Sequence, residues 1–173
     1  RNFKDEKGKV RSRPQNTDYY FREAITWSDI GSGELSVRYR SAGTIPGNKG
    51  SGVYSQHSEA LITVLAVMNS KVGQYIIQII NPTITRNVGD IARAPILNIR
   101  NIDFEQLVKF NIEIAKRDWD SSEISWNFIT NRIVSAIAEH NRNWTVEAAF
   151  NQWKQEAQDR FDQLKKNEEE LNK

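Results

Sequence analysis

The chain has 173 residues, 38% hydrophobic and 27% charged, with a formal net charge of +2, a composition that excludes disorder throughout and fits an ordinary globular protein. It holds no cysteine and only two histidines, His57 and His140, which excludes a disulfide framework, thiol chemistry and a zinc site built from Cys or His. Its charge is uneven: residues 1–101 carry 14 Lys+Arg against 8 Asp+Glu, and residues 102–173 carry 10 against 14. A basic front half suits a polyanion, because phosphate neutralisation releases counterions, although the same excess is common in proteins that never meet nucleic acid.

Residues 1–16 are polar and basic and read as an extended arm. Tyr19–Thr26, Glu34–Tyr39 and Thr44–Pro46 are rich in β-branched and aromatic residues between glycine-bearing turns, which predicts short strands. Leu35, Val37 and Tyr39 alternate with Ser36, Arg38 and Arg40, so a period of two buries the first set and turns the arginines to the other face. Gly47–Gly52 lacks the spacing of a phosphate-binding loop and reads as a loop approached by DNA or as a plain connector.

Ser58 is placed to cap a helix beginning at Glu59, with Leu61, Leu65 and Met68 inward. Asn69-Ser70 breaks it, and a second apolar helix follows through Val72, Tyr75, Ile76 and Ile79 until Pro82 removes a donor. Thr83, Ile84 and Val88 suggest a strand before Gly89-Asp90, with Asp90 capping the turn or a short helix and Pro95 closing the module. No apolar run reaches the ~18 residues of a membrane span.

Further on, Asp103 with Gln106 and Asp120 with Glu123 have capping-box spacing and predict helices from Phe104 and Ser121. Trp119, Trp126, Phe128, Ile129, Ile133 and Ile137 read as apolar anchors. Thr145 caps a long amphipathic helix with Val146, Phe150, Trp153, Ala157, Phe161, Leu164 and Leu171 in its stripe, interrupted at Glu168. That stripe calls for a helix partner in a parent protein or a dimer mate. The chain does not begin with Met and ends within a helical pattern, so it reads as a piece of a longer protein.

Catalytic signatures are missing. Adenine methylation uses a (D/N/S)PP(Y/F) loop around a flipped base, and Asn81-Pro82-Thr83-Ile84 lacks its second proline and its aromatic. Asp90 has no ExK partner after it for a magnesium nuclease, and Asp118-Trp119-Asp120 sits beside a predicted helix cap that explains it structurally. What remains is recognition: Arg38 and Arg40 on one strand face, Asn48 and Lys49 in the glycine-rich loop, and Arg86, Asn87 and Arg93 around the proline break are the candidate DNA-binding set. Each also reads as a solvated surface group. Tyr20, Trp27 and Tyr39 are candidates for stacking on DNA or for the core.

The stretch LITVLAVMNSKVGQYIIQIINPTITRNVGDIARAPI, with YYFREAITWSDIGSGELSVRYRSAG before it, resembles the specificity regions of restriction-modification methyltransferases. More narrowly it is similar to the adenine-specific DNA methyltransferases of the BREX (phage growth limitation) phage-defence systems, in the part after their catalytic domain. Asn69-Ser70-Lys71 match the "LNSK" element, Gly89, Asp90, Ala92 and Pro95 match the "GDIxxxPI" turn, and Thr26, Trp27 and Ser28 match the "GITW" segment, with Ala24 in place of Gly. The resemblance implies an α+β chain: a small mixed-sheet target-recognition domain with packed helices over residues 17–100, then a helical spacer over 101–173 ending in a long amphipathic helix. It implies that the motif residues organise the fold. It further implies double-stranded DNA and a catalytic domain of the same parent chain as partners, S-adenosylmethionine bound elsewhere in that parent, and a cytoplasmic setting. A restriction-modification parent that also carries a nuclease, and a helical protein-interaction module of a defence complex, are the alternatives.

Overall fold

The computed structural model describes residues 3–12, 14–47, 49–96, 102–140 and 144–173, with backbone only at Ser12 and Ile102. The architecture is α+β, in two compact units, residues 1–96 and 97–173. Among the described residues no single helix is long and apolar enough to cross a membrane.

In the first unit, strands β1 (Phe3–Lys4) and β2 (Val10–Ser12) pair antiparallel, so the residues read as an extended arm form a short hairpin. A second antiparallel sheet has the order β4-β3-β5, from β3 (Ala24–Trp27), β4 (Val37–Arg40) and β5 (Gly52–Val53). Residues directly opposite in such a sheet share a face. The register sets Ile25 beside Tyr39 and Val53, and Trp27 beside Val37, on one face; Thr26 lies beside Arg38 and Gly52, and Ala24 beside Arg40, on the other. Helix α1 (Ser58–Asn69) packs on β3 and β4 and buries Leu61, Ile62, Leu65 and Met68. Ile25, Leu61, Met68 and Ile77 are the largest side chains almost wholly out of water, each burial contributing roughly 1.5–3 kcal/mol.

Ser58 does not cap α1. The helix starts at Ser58, His57 takes the cap position with no side-chain bond, and the Ser58 hydroxyl donates to Glu23 Oε1 at 2.7 Å. Ser70 is the cap that matters: its Oγ accepts from Gly73 N at 3.0 Å and starts α2 (Lys71–Ile80), which leaves α1 at a 76° bend. That bend presses α2 onto the end of α1, and a Cβ on Gly73 would lie 1.9 Å from the Val67 carbonyl oxygen. The inward residues of α2 are therefore Gly73 and Ile77, while Val72, Tyr75 and Ile79 of the apolar run stand about two-thirds exposed.

Asn81 ends α2 in extended backbone, as Pro82 requires. The expected strand is reduced to one bridge, Thr85 with Ile30, and Val88 opens helix α3 (Val88–Arg93) instead.

Among the described residues the second unit has three helices: α4 (Ile102–Asp120), α5 (Arg132–Glu139) and α6 (Val146–Leu171). Thr145 caps α6 as expected, accepting from Ala148 N at 3.1 Å. No helix starts at Ser121: Asp120 Oδ1 instead accepts from the Ser125 hydroxyl at 2.6 Å and holds a turn-rich loop. On that loop Trp126 and Ile129 are 99% and 92% exposed, so they anchor no core here. The buried line of α6 runs through Ala149 and Asn167, eighteen residues and five helical turns apart. Asn167 donates to Asn111 Oδ1 of α4 at 2.7 Å, and Glu156 takes a two-pronged ion pair from Arg132 of α5, with both prongs at 2.9 Å. Val146, Phe150 and Phe161 lie off that line and are exposed.

Candidate nucleic-acid interface

The sequence-derived residues fall into three places on the first unit; Asn48 lies outside the described residues. The first place is the sheet face opposite α1. Arg38 stands there exposed, with no partner among the described residues. Arg40 is half-buried: its Nη2 donates to the Tyr54 hydroxyl at 2.8 Å, and its guanidinium carbon lies 5.6 Å from the ring centroid. The Tyr54 ring meets Tyr19 at 4.7 Å, and Arg22 lies over Tyr19 at 5.8 Å while donating to the Ser55 carbonyl at 3.0 Å. Arg40, Tyr54, Tyr19 and Arg22 thus form one cation-aromatic row. Sequence reading missed Arg22, Tyr19 and Tyr54, because partners 35 residues apart have no periodic signal.

The second place centres on Asp29. Its backbone carbonyl accepts from Arg86 N at 2.7 Å, and its Oδ2 lies 3.9 Å from Lys49 Nζ. The Arg86 side chain turns back on the Thr83 carbonyl and donates to Gly33 O at 3.2 Å. Trp27 Nε1 donates to Arg86 O at 2.9 Å, which ties this loop to β3.

The third place is a knot around buried Asp90. Asn81 Nδ2 donates to Asp90 Oδ2 at 2.5 Å, Asn87 Nδ2 reaches the same oxygen at 3.3 Å, and Arg93 pairs with Oδ1 at 2.7 Å. The Asn81 bond, then the Arg93 bond, hold the Asp90 carboxyl below the usual aspartate range. Asn81 also donates to Thr85 O at 2.9 Å and accepts from the Thr83 amide and hydroxyl. Its amide is spent inside the fold and is not poised to bind a substrate amine. Asn87 and Arg93 are likewise engaged in ordering α3.

Of the aromatic candidates, Trp27 is buried and Tyr39 donates to Glu23 Oε2 at 2.5 Å, a bond that pushes the Tyr39 hydroxyl up to about 12 and the Glu23 carboxyl down. Tyr20 is half-buried, edge-on to Phe21. Trp27 therefore belongs to the core, while half-buried Tyr39 has its hydroxyl committed to Glu23.

A cleft of about 580 Å³ lies between the Gly31–Leu35 turn, α2 and the 81–86 loop, with Glu34, Lys71, Gln74, Tyr75 and Arg86 in its lining. These residues do not fit S-adenosylmethionine: the glycines at 31 and 33 join β3 to β4 and lead into no helix N-terminus, the turn on which such a nucleoside cofactor is held.

The chain that folds into this α+β unit, with its NSK and GDI motifs, and into the helical unit after it matches adenine-specific methyltransferases in sequence. It is 41% identical over 172 residues to the adenine-specific methyltransferase PglX of Lacticaseibacillus casei (strain Zhang), covering 99% of the chain and 14% of that relative. It is 35% identical over 137 residues to the adenine-specific methyltransferase BrxX of Escherichia coli O9:H4 (strain HS), covering 78% of the chain and 11% of that relative. No family model matches. The chain is homologous, over nearly its whole length, to a segment of the BREX adenine-specific methyltransferases, and it spans about one seventh of the PglX relative.

Proposed function

We propose that this chain is a target-recognition segment of an adenine-specific DNA methyltransferase, holding a duplex so that a catalytic domain elsewhere in the parent protein flips and methylates one adenine. The observation that carries the reading is the 41% identity to an adenine-specific methyltransferase in a stretch that contains no (D/N/S)PP(Y/F) loop. The part of such an enzyme that does no chemistry has binding left to do. The sheet face with Arg38, which has no partner among the described residues, and Lys49 only loosely paired, supports that role, since charged side chains left free in the folded state remain available for phosphates and base edges. S-adenosylmethionine and its pocket belong, on this reading, to the rest of the parent, and its setting is the bacterial cytoplasm.

The test is a segment exchange. This chain is spliced into the Lacticaseibacillus casei PglX in place of its own matching stretch, and the methylated adenines are mapped genome-wide. A changed methylation motif is the expected result. Active enzyme with the recipient's motif intact would remove target recognition from this segment.

A second reading, a protein-interaction module, draws on the second unit. Trp126, Ile129, Phe150 and Phe161 are exposed there, and tryptophan on a held loop is a common anchor of protein interfaces. The partner on this reading is the parent's catalytic domain or a second copy of α6.

A further inference from the structure

Residues 3–12, FKDEKGKVRS, hold four cations against two acids. They fold into the β1–β2 hairpin with Phe3 opposite Ser12 and Lys4 opposite Val10. From Phe3 to Arg11 no residue is buried. A two-stranded ribbon without a packed face is marginal on its own, so something local must hold it, and that is Asp5. Its Oδ1 accepts from the amides of Lys7 at 3.1 Å and Lys9 at 2.9 Å, its Oδ2 takes Arg11 Nε at 2.8 Å, and its carbonyl accepts from Gly8 N at 2.9 Å. Gly8 has φ +74°, which a side chain would strain. One carboxylate thus orders the tip and neutralises Arg11. It leaves the ammonium groups of Lys4, Lys7 and Lys9 exposed and without partners among the described residues.

We propose that this hairpin is a second DNA-binding element, a sequence-independent clamp that sets Lys4, Lys7 and Lys9 against the phosphate backbone of the duplex. The proposal rests on the DNA-recognition reading and adds to it an element not in the sequence-derived site. Charge complementarity selects the occupant. The two large apolar side chains of the ribbon, Phe3 and Val10, are both exposed and pair across the strands with Ser12 and Lys4 rather than with each other, so they make no joint apolar face, and three lysines match a polyanion. Lysine binds phosphate as a point charge, and phosphate binding positions a protein without carrying sequence information. A two-stranded ribbon is also narrow enough for the major groove.

The experiment is fluorescence anisotropy of the full chain on a random-sequence duplex from ~50 to ~200 mM salt. It compares the wild type with Lys4→Ala/Lys7→Ala/Lys9→Ala, the corresponding triple Lys→Arg variant, and Asp5→Ala. The alanine variant should bind more weakly and flatten the plot of log affinity against log salt by about 0.9 for each phosphate no longer neutralised. The arginine variant should bind like the wild type. Asp5→Ala raises the net charge by one while releasing the tip, and should nonetheless bind more weakly. If the wild type binds and the alanine variant matches it in affinity and slope, the clamp is overturned and the recognition reading stands. Tighter binding by Asp5→Ala overturns the ordered ribbon in favour of diffuse charge. No binding by the wild type at ~50 mM salt overturns both proposals.

Discussion

Asn69 pairs with a strand edge using one side chain. Its Oδ1 accepts from Val37 N at 3.0 Å and its Nδ2 donates to Val37 O at 2.9 Å, while Gln74 does the same for Leu35 at 2.9 and 2.5 Å. β4 is the outer strand of its sheet, so these amides satisfy an edge that would otherwise invite another chain. They also fix how β4, and with it Arg38, is held against the α1–α2 bend. Asn69→Ala leaves the Val37 N–H and C=O without partners, and an unsatisfied group costs about 1–3 kcal/mol. Urea unfolding of the full chain should show a loss in that range, with Asn69→Asp, which keeps one acceptor, falling between. A change within about 0.5 kcal/mol, ordinary for a surface substitution, would mean that water replaces the amide at no cost.

At the scale of elements, α5 and α6 are joined by Arg132, which reaches Glu156 with both prongs and Glu139 at 2.7 Å. The Arg132 bond holds Glu156 below its ordinary value of 4.5, and Glu156 and Glu139 in turn hold the Arg132 guanidinium firmly charged. A carboxylate depressed on folding adds stability that is complete above its unfolded pKa and fades as pH falls through the folded one. Arg132→Met should therefore cost about 1 kcal/mol at neutral pH, the scale of a partly exposed pair. The difference from wild type should close as the pH drops below 4.5. A gap independent of pH would trace the loss to packing of the arginine stem. The elements themselves were unevenly legible. The two-residue alternation at Leu35–Arg40 showed β4, and Pro82 showed where α2 stops, because each signal is local. The start of α3 was set too late, at a turn or short helix capped by Asp90, although Asn87 followed by Asp90 has helix-start spacing, since Thr83, Ile84 and β-branched Val88 argued for a strand. Which face of α2 turns inward was not legible: hydrophobic spacing marks a stripe, and only the close approach at Gly73 decides which side meets α1. In the candidate site, the turn of Arg38 away from the core was readable from periodicity. The spending of Asn81, Asn87 and Arg93 on Asp90 was not, because it depends on where three turns meet.

Across the whole molecule the charge is small and its distribution is not, with 14 cations against 8 acids in residues 1–101 and 10 against 14 in residues 102–173. On the proposed DNA-recognition reading, this distribution separates two kinds of affinity. If the duplex answers only to total charge, removing any two lysines or arginines weakens binding equally. If it sits on the first unit, location decides, because charges beyond a Debye length of ~10 Å at 0.1 M salt are largely screened. Lys165 and Lys166 on α6 are exposed, as are Arg38 and Lys49 in the first unit, so either pair can go without emptying a core. Both double variants reduce the formal charge of +2 by the same amount. Arg38→Ala/Lys49→Ala should weaken duplex binding and flatten its salt dependence by about 0.9 for each phosphate left unneutralised, whereas Lys165→Ala/Lys166→Ala should bind like the wild type. Equal losses from the two pairs would mean that the uneven charge steers nothing and that the sheet face is not where DNA lies. A larger loss from the lysine pair would move the DNA to α6, and with it the part of the parent enzyme that meets its substrate.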